Sequence, residues 1–391
     1  MRIAVTRARG AERPVSPLEL FFDLVYVFAI GQLSQHLLAH VDLRAGAETT
    51  ILALAVAYAW YMTAWGVNWL EPDPLPVRAF LVGLMFASLL MSVAIGDAFG
   101  GRAWLFVTGY LVLQLGRCAF LIVALRGRAL GEHFVNDLVW ELTAGAFWVA
   151  GATVDPDARL VLWAIAVVIT YAGIWTVHWL PGRGRRIDLG HTEIAPGHLI
   201  ERFRLFFLIA LGETVITTGT AFTDEPFAPE RLLALAIGFT GTVALWFCYF
   251  QRAEPIGVQV AESAEDAGAV GWLGTWTLTL IVLALIGIAV ADELAIAHPG
   301  DDATRGFTIL AFGGPALFLV AQVFFLHEAL GYVPRSRPLG LAALALLGVA
   351  TAPLAMIAGI AAASGVLVAV AASDSWHSGS RPVRSPPSGQ V

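Results

Sequence analysis

The stretch PLELFFDLVYVFAIGQLSQHLLAH, Pro17 to His40, is long enough to cross a bilayer, yet it carries Glu19, Asp23 and Gln32 within an apolar run. A crossing helix needs about 20 mostly apolar residues. A charge at the bilayer centre costs roughly 2.5–3.5 kcal/mol on insertion scales, so acids inside a crossing face partners or water rather than lipid. Arg2, Arg7, Arg9 and Arg13 precede the span in the manner of a leader peptide. The span is too long and too acidic for one and lacks a small-residue cleavage site, so it reads as a retained first helix.

Composition extends that reading to the whole chain. Of 391 residues, 58% are hydrophobic and 14% charged, against about 25% charged in an ordinary soluble protein. This describes an all-α polytopic membrane protein. The net charge of -7 leaves no basic face for nucleic acid. All 23 basic residues are Arg. A chain without Lys forms neither a lysine Schiff base nor a P-loop. The two cysteines, Cys118 and Cys248, fall in apolar runs and read as small buried residues. With no C-x-x-C or H-E-x-x-H motif, no metal centre, cofactor or enzymatic activity is expected.

Polar and Pro- or Gly-rich breaks separate spans at 17–40, 47–70, 77–99, 103–125, 134–152, 158–180, 199–222, 230–251, 267–291 and 305–330. A last run, Leu339 to Ala372, has 34 residues without a charge. Pro353 near its middle favours a kink or reversal. Arginine placement sets the orientation, because cytoplasmic loops are enriched in basic residues. An inside N-terminus gathers Arg126, Arg128, Arg183, Arg185 and Arg186 among others on the inner side. Arg381 and Arg384 then favour an inside C-terminus, hence an even count of 12 crossings, the final two short. The expected organisation is a cytoplasmic tail (1–16), a six-helix half (17–180), a polar loop (181–198), a second half (199–372) and a disordered tail (373–391), all set in a bacterial cytoplasmic membrane.

The second half opens much as the first does. HLIERFRLFFLIALGETVITTG, His198 to Gly219, shares with the first span an acid near its start, an aromatic cluster, and a small-apolar-Gly turn followed by a polar residue. Gly212-Glu213 thereby matches Gly31-Gln32. Six helices per half make the halves parallel repeats, as in transporters whose sites lie near the midplane between them. These strings, together with YLVLQLGRCAFLIVAL and DELAIAHP, resemble the bacterial low temperature requirement A family of integral membrane proteins. The resemblance runs from about Pro17 to the final apolar run. It implies a polytopic membrane protein named for a cold-growth phenotype and supplies no catalytic residues.

Glu19 and Asp23 lie one helical turn apart and share a face. Asp137 and Glu141 repeat that spacing in the fifth span. Arg117 in the fourth span is the expected partner of these four acids, as an ion-binding centre or a lock. Glu201 and Arg204 are spaced to pair on their own helix. Arg202 is expected to reach to the inner interface. Glu213 lies deep among apolar residues with Thr214, Thr217 and Thr218 beside it, suited to exchange a proton or hold a cation. His36 and His40 have a chelating spacing without a third ligand, and His133, His178, His198 and His327 read as interface residues. Trp60, Trp65 and Trp69 read as headgroup anchors. The expected function is a secondary transporter or channel-like protein moving a small solute, a monovalent cation or a proton. The alternative is a membrane scaffold or stress-response factor whose buried charges are structural.

Overall fold

The computed structural model describes residues 15–182, 196–224, 226–263 and 267–378. The polar loop between the expected halves lies largely outside them. The described residues form helices α1 (Pro17–Ala39), α2 (Leu43–Val67), α3 (Leu75–Ala94), α4 (Ala103–Ala124), α5 (Ala129–Ala152), α6 (Pro156–Trp175), α7 (Pro196–Thr223), α8 (Pro229–Cys248), α9 (Glu254–Ser263), α10 (Ala267–Ala297), α11 (Arg305–Leu330), α12 (Ser336–Thr351) and α13 (Met356–Ser378). No strand occurs among these residues, and an isolated bridge joins Asp302 and Ala355.

Ten of these segments are long and apolar enough to cross a membrane, with α8 and α9 counted as one. The two left out are α5, with Glu132, Asp137 and Glu141, and α12, with 16 residues.

Local chemistry sets where the helices begin. Ser16 accepts from the Glu19 amide at 3.3 Å while its own amide donates to Glu19 Oε2 at 2.9 Å. With Pro17 in the first turn this is a capping box. Asp42, Asp155 and Thr304 cap α2, α6 and α11 through their side-chain oxygens. At the end of α11, Gly331 takes a left-handed φ of 72°, which glycine adopts at no steric cost.

The helices alternate in direction, so α1 and α7 start at one end of the bundle, the near end, and finish at the far end. α2 and α10 are the most enclosed helices, and α1 packs on α2, α3, α7 and α10. At the far end Arg159 donates to carbonyls of Gly151 (3.0 Å), Gly100 (3.1 Å) and Val154 (3.1 Å), tying two turns together. Backbone bonds from Ala303 to Leu354 (3.1 Å) and from Met356 to Asp301 (2.9 Å) join the α10–α11 and α12–α13 connections there.

Three expectations change. The final apolar run reverses at Ala352–Ala355, but α13 is 23 residues long and runs to Ser378, past the expected start of a disordered tail. Asp374 is buried there, and its ion pair with Arg337 supplies the reason. The eighth span does not stop at Gln251 but continues through a π-helical turn, Tyr249–Ala253, into α9. Trp60, Trp65 and Trp69 are buried rather than set at an interface. Trp60 stacks on Phe206 with ring centroids 3.9 Å apart, because α2 runs through the interior and not along its rim.

Candidate functional site

Asp23 and Arg202 each lie six residues past the first residue of their helices, and α1 and α7 run side by side from the same end. The equal offset brings the guanidinium onto the carboxylate. Arg202 Nη2 donates to Asp23 Oδ1, both side chains fully buried. Trp60 Nε1 donates to the same oxygen at 2.7 Å. Arg202, expected at an interface, is thus the partner that Arg117 was expected to be. Glu19 has two roles, since besides capping α1 it lies 3.3 Å from His198 Nε2 on α7.

Arg117 serves a separate cluster on the other side of α2. Its Nη2 lies 3.2 Å from Asp137 Oδ2. Tyr58 of α2 donates to Asp137 Oδ1 at 3.4 Å, and Cys118 Sγ lies 3.4 Å from Oδ2. His178 reaches within 3.3 Å of the same carboxylate. Val177 and His178 hold φ values of 55° and 51°, an unfavourable region for a β-branched residue, and this turns the chain end of α6 inward. Glu141, one turn on, is buried near Tyr58, and among the described residues no salt bridge reaches it. The four acids therefore do not converge: Glu19 and Asp23 face α7, while Asp137 and Glu141 face α4. His133, His178 and His198 are buried rather than interfacial.

Glu201 and Arg204 do not pair with each other. Glu201 accepts from the Val15 amide at 3.4 Å, whereas Arg204 meets Glu254 at 3.5 Å where α9 begins. Gln32 approaches the Ile95–Asp97 turn that follows α3, and a Cβ on Gly96 would lie 3.7 Å from its Oε1. It does not face Glu213.

Glu213 sits where α1 and α7 cross. A Cβ at Gly31 would lie 3.1 Å from its Oε1, so a glycine there makes room for the carboxylate. Thr217 donates to Oε1 at 2.9 Å. No cationic side chain pairs with it among the described residues. The charge on Glu293 of α10 acts on it, and Gln35 of α1 donates to Glu293 at 3.4 Å toward the far end. His36 lies 3.2 Å from Glu48.

A third charge cluster escaped sequence reading. Arg337 of α12 donates to Asp374 and, at 3.0 Å, to Gln322 Oε1. Gln322 in turn donates to the Cys248 carbonyl at 3.1 Å, just before the π-helical turn. Sequence placed Arg337 in a loop and Asp374 in a tail. A cavity of about 60 Å³ lies beside that turn and is lined by Phe203, Tyr249, Leu273 and Phe325. Of its polar members, Glu254 and Gln322 are already engaged, whereas the Thr277 hydroxyl has no hydrogen-bond partner among the described residues.

Ten apolar helices and a set of buried acids and arginines between them define a polytopic helical integral membrane protein. The family model described as bacterial low temperature requirement A protein (LtrA) matches residues 14–372, and the chain belongs to that family. An uncharacterized protein of Rhizobium meliloti (strain 1021) is 33% identical over 334 residues, covering 83% of this chain and 80% of that relative.

Proposed function

We propose that this LtrA protein is a secondary transporter or channel-like protein in which Glu213 carries a proton or a monovalent cation, alone or coupled to a small solute. The observation that carries this reading is that no cationic side chain among the described residues pairs with Glu213. Asp23 and Asp137, buried to the same extent or more, each have an arginine. An acid kept inside a membrane without a counter-charge is by default a candidate for an ion or proton path. Gln35 and Glu293 extend that path toward the far end, which the arginine bias makes the outer side.

The reading includes twelve crossings in two parallel halves, α1–α6 and α7–α13, with α8 and α9 forming one crossing and both termini inside. The packing pattern supports it. α1 lies on α2 and α3 as α7 lies on α8 and α10; α3 through α6 pack in series as α10 through α13 do; α2 meets α6 as α8 meets α13.

Purified protein in liposomes should pass protons or monovalent cations above the rate of empty liposomes, and Glu213→Gln should remove that flux. A second reading, a membrane scaffold or stress-response factor, is favoured by the arginine pairs, each of which fastens two helices. It predicts no flux from the wild type under any imposed gradient.

A further inference from the structure

Asp292 and Glu293 are neighbours on α10 and face different ways. Glu293 is met by Gln35 from α1. Asp292 faces α8, where a Cβ on Gly238 would lie 3.2 Å from its carboxyl carbon. Asp292 is 5% exposed. Among the described residues no hydrogen bond or ion pair reaches its carboxylate. It lines a cavity of about 10 Å³ together with Gly241, Ala311, Pro315 and Ser364. That space admits a single water-sized occupant.

The cavity wall is mainly apolar, and Asp292 and Ser364 are the polar side chains set in it. Ser364 on α13 is 8% exposed, and its hydroxyl has no partner among the described residues. A Cβ on Gly241 would lie 2.7 Å from Ser364 Oγ, so Gly238 and Gly241, on one face of α8, keep the space open. Pro315 lies inside α11. It has no N–H, so the carbonyl of Ala311, four residues earlier, loses its helical donor. Carboxylate, hydroxyl and freed carbonyl are the donors that hard cations take. A buried carboxylate with no counter-charge is strongly unfavourable. One positive charge neutralises it, whereas a divalent ion leaves a net charge buried in a medium of low dielectric.

We propose that the Asp292 carboxylate, the Ser364 hydroxyl and the Ala311 carbonyl bind one small monovalent cation of Na⁺ size between α8, α10, α11 and α13. The site lies on a different face of α10 from the contact with α1. It binds whether or not Glu213 moves a charge.

The test is thermal unfolding of the full chain in detergent, in NaCl or choline chloride at equal ionic strength, in a buffer alkaline enough to ionise a buried carboxyl. The melting temperature should rise saturably with Na⁺ and not with choline. Asp292→Asn should abolish the rise, and Ser364→Ala should raise the half-saturating Na⁺ concentration by about 10-fold, the loss of one bond to a charged group. Should Asp292→Asn fail to fold, Gly241→Ala fills the space beside Ser364 and should also abolish the response. Equal melting in Na⁺ and choline overturns the proposal, as does a Na⁺ response unchanged in these variants. A melting temperature that follows pH but not Na⁺ overturns it too, since a proton then satisfies the carboxyl. This measurement involves no transport, so its failure leaves the Glu213 reading standing, and loss of flux in Glu213→Gln leaves the cation site standing.

Discussion

Removing Arg202 strands the Asp23 carboxylate in the interior with only Trp60 to donate to it. Breaking a buried pair from one side costs roughly 3–5 kcal/mol, so Arg202→Gln should lower the thermal stability of purified protein sharply. Combining it with Asp23→Asn should restore most of the loss, because no bare charge remains and Trp60 keeps an acceptor. Equal damage in single and double variants would mean the pair does not act as a unit. At the protein surface, the Ala158 and Asp157 amides hold the Asp155 carboxyl below the usual carboxylate range. A lowered folded-state value adds stability above the ordinary Asp value of about 3.9, which is lost as pH falls through the folded value. Asp155→Asn should therefore flatten the acid side of the stability profile, and an unchanged slope would contradict the cap. Sequence identified the polar residues and the pairing of Arg117 with Asp137, but not the partner of Asp23. Ser16 and Glu19 carry a legible S-x-x-E signal for a capping box, while the Asp23–Arg202 pair requires knowing that two helices 179 residues apart start level with each other.

Close helix packing makes predictions of its own. A Cβ at Gly109 of α4 would lie 2.6 Å from the Met91 amide nitrogen and 2.9 Å from the Ala87 carbonyl of α3, both rigid backbone atoms. Gly109→Ala should push the two helices apart and cost about 1–3 kcal/mol as overpacking does. Gly83 of α3 has nothing within 4 Å of such a Cβ, so Gly83→Ala should gain up to about 1 kcal/mol from helix propensity. Melting of the two variants against the wild type checks both signs, and a destabilised Gly83→Ala would contradict the placement of that face. Hydropathy and proline breaks made most helix limits legible to within a few residues. The continuation of α8 into α9 was not legible, because its π-helical turn is stabilised by Gln322 reaching the Cys248 carbonyl from another helix. Asp374 was likewise missed because a Ser-rich segment reads as tail until Arg337 is known to face it.

For the whole molecule, α1 and α7 run side by side, and their charges fall into two kinds: pairs that hold helices together, and acids with no counter-charge. The similarity of Pro17–His40 to His198–Gly219 is one of sequence, polar residues falling at corresponding positions of the two spans. Which of those residues meet was not legible, since Gly31, rather than Gln32, faces Glu213. Proton and monovalent-cation flux into liposomes, measured side by side for Glu213→Gln and for the folded Asp23→Asn, Arg202→Gln double variant, tests this division most directly. Loss of flux in the first with flux kept in the second is the predicted result. Flux that survives Glu213→Gln, or that vanishes only when the Asp23–Arg202 pair is neutralised, would contradict it.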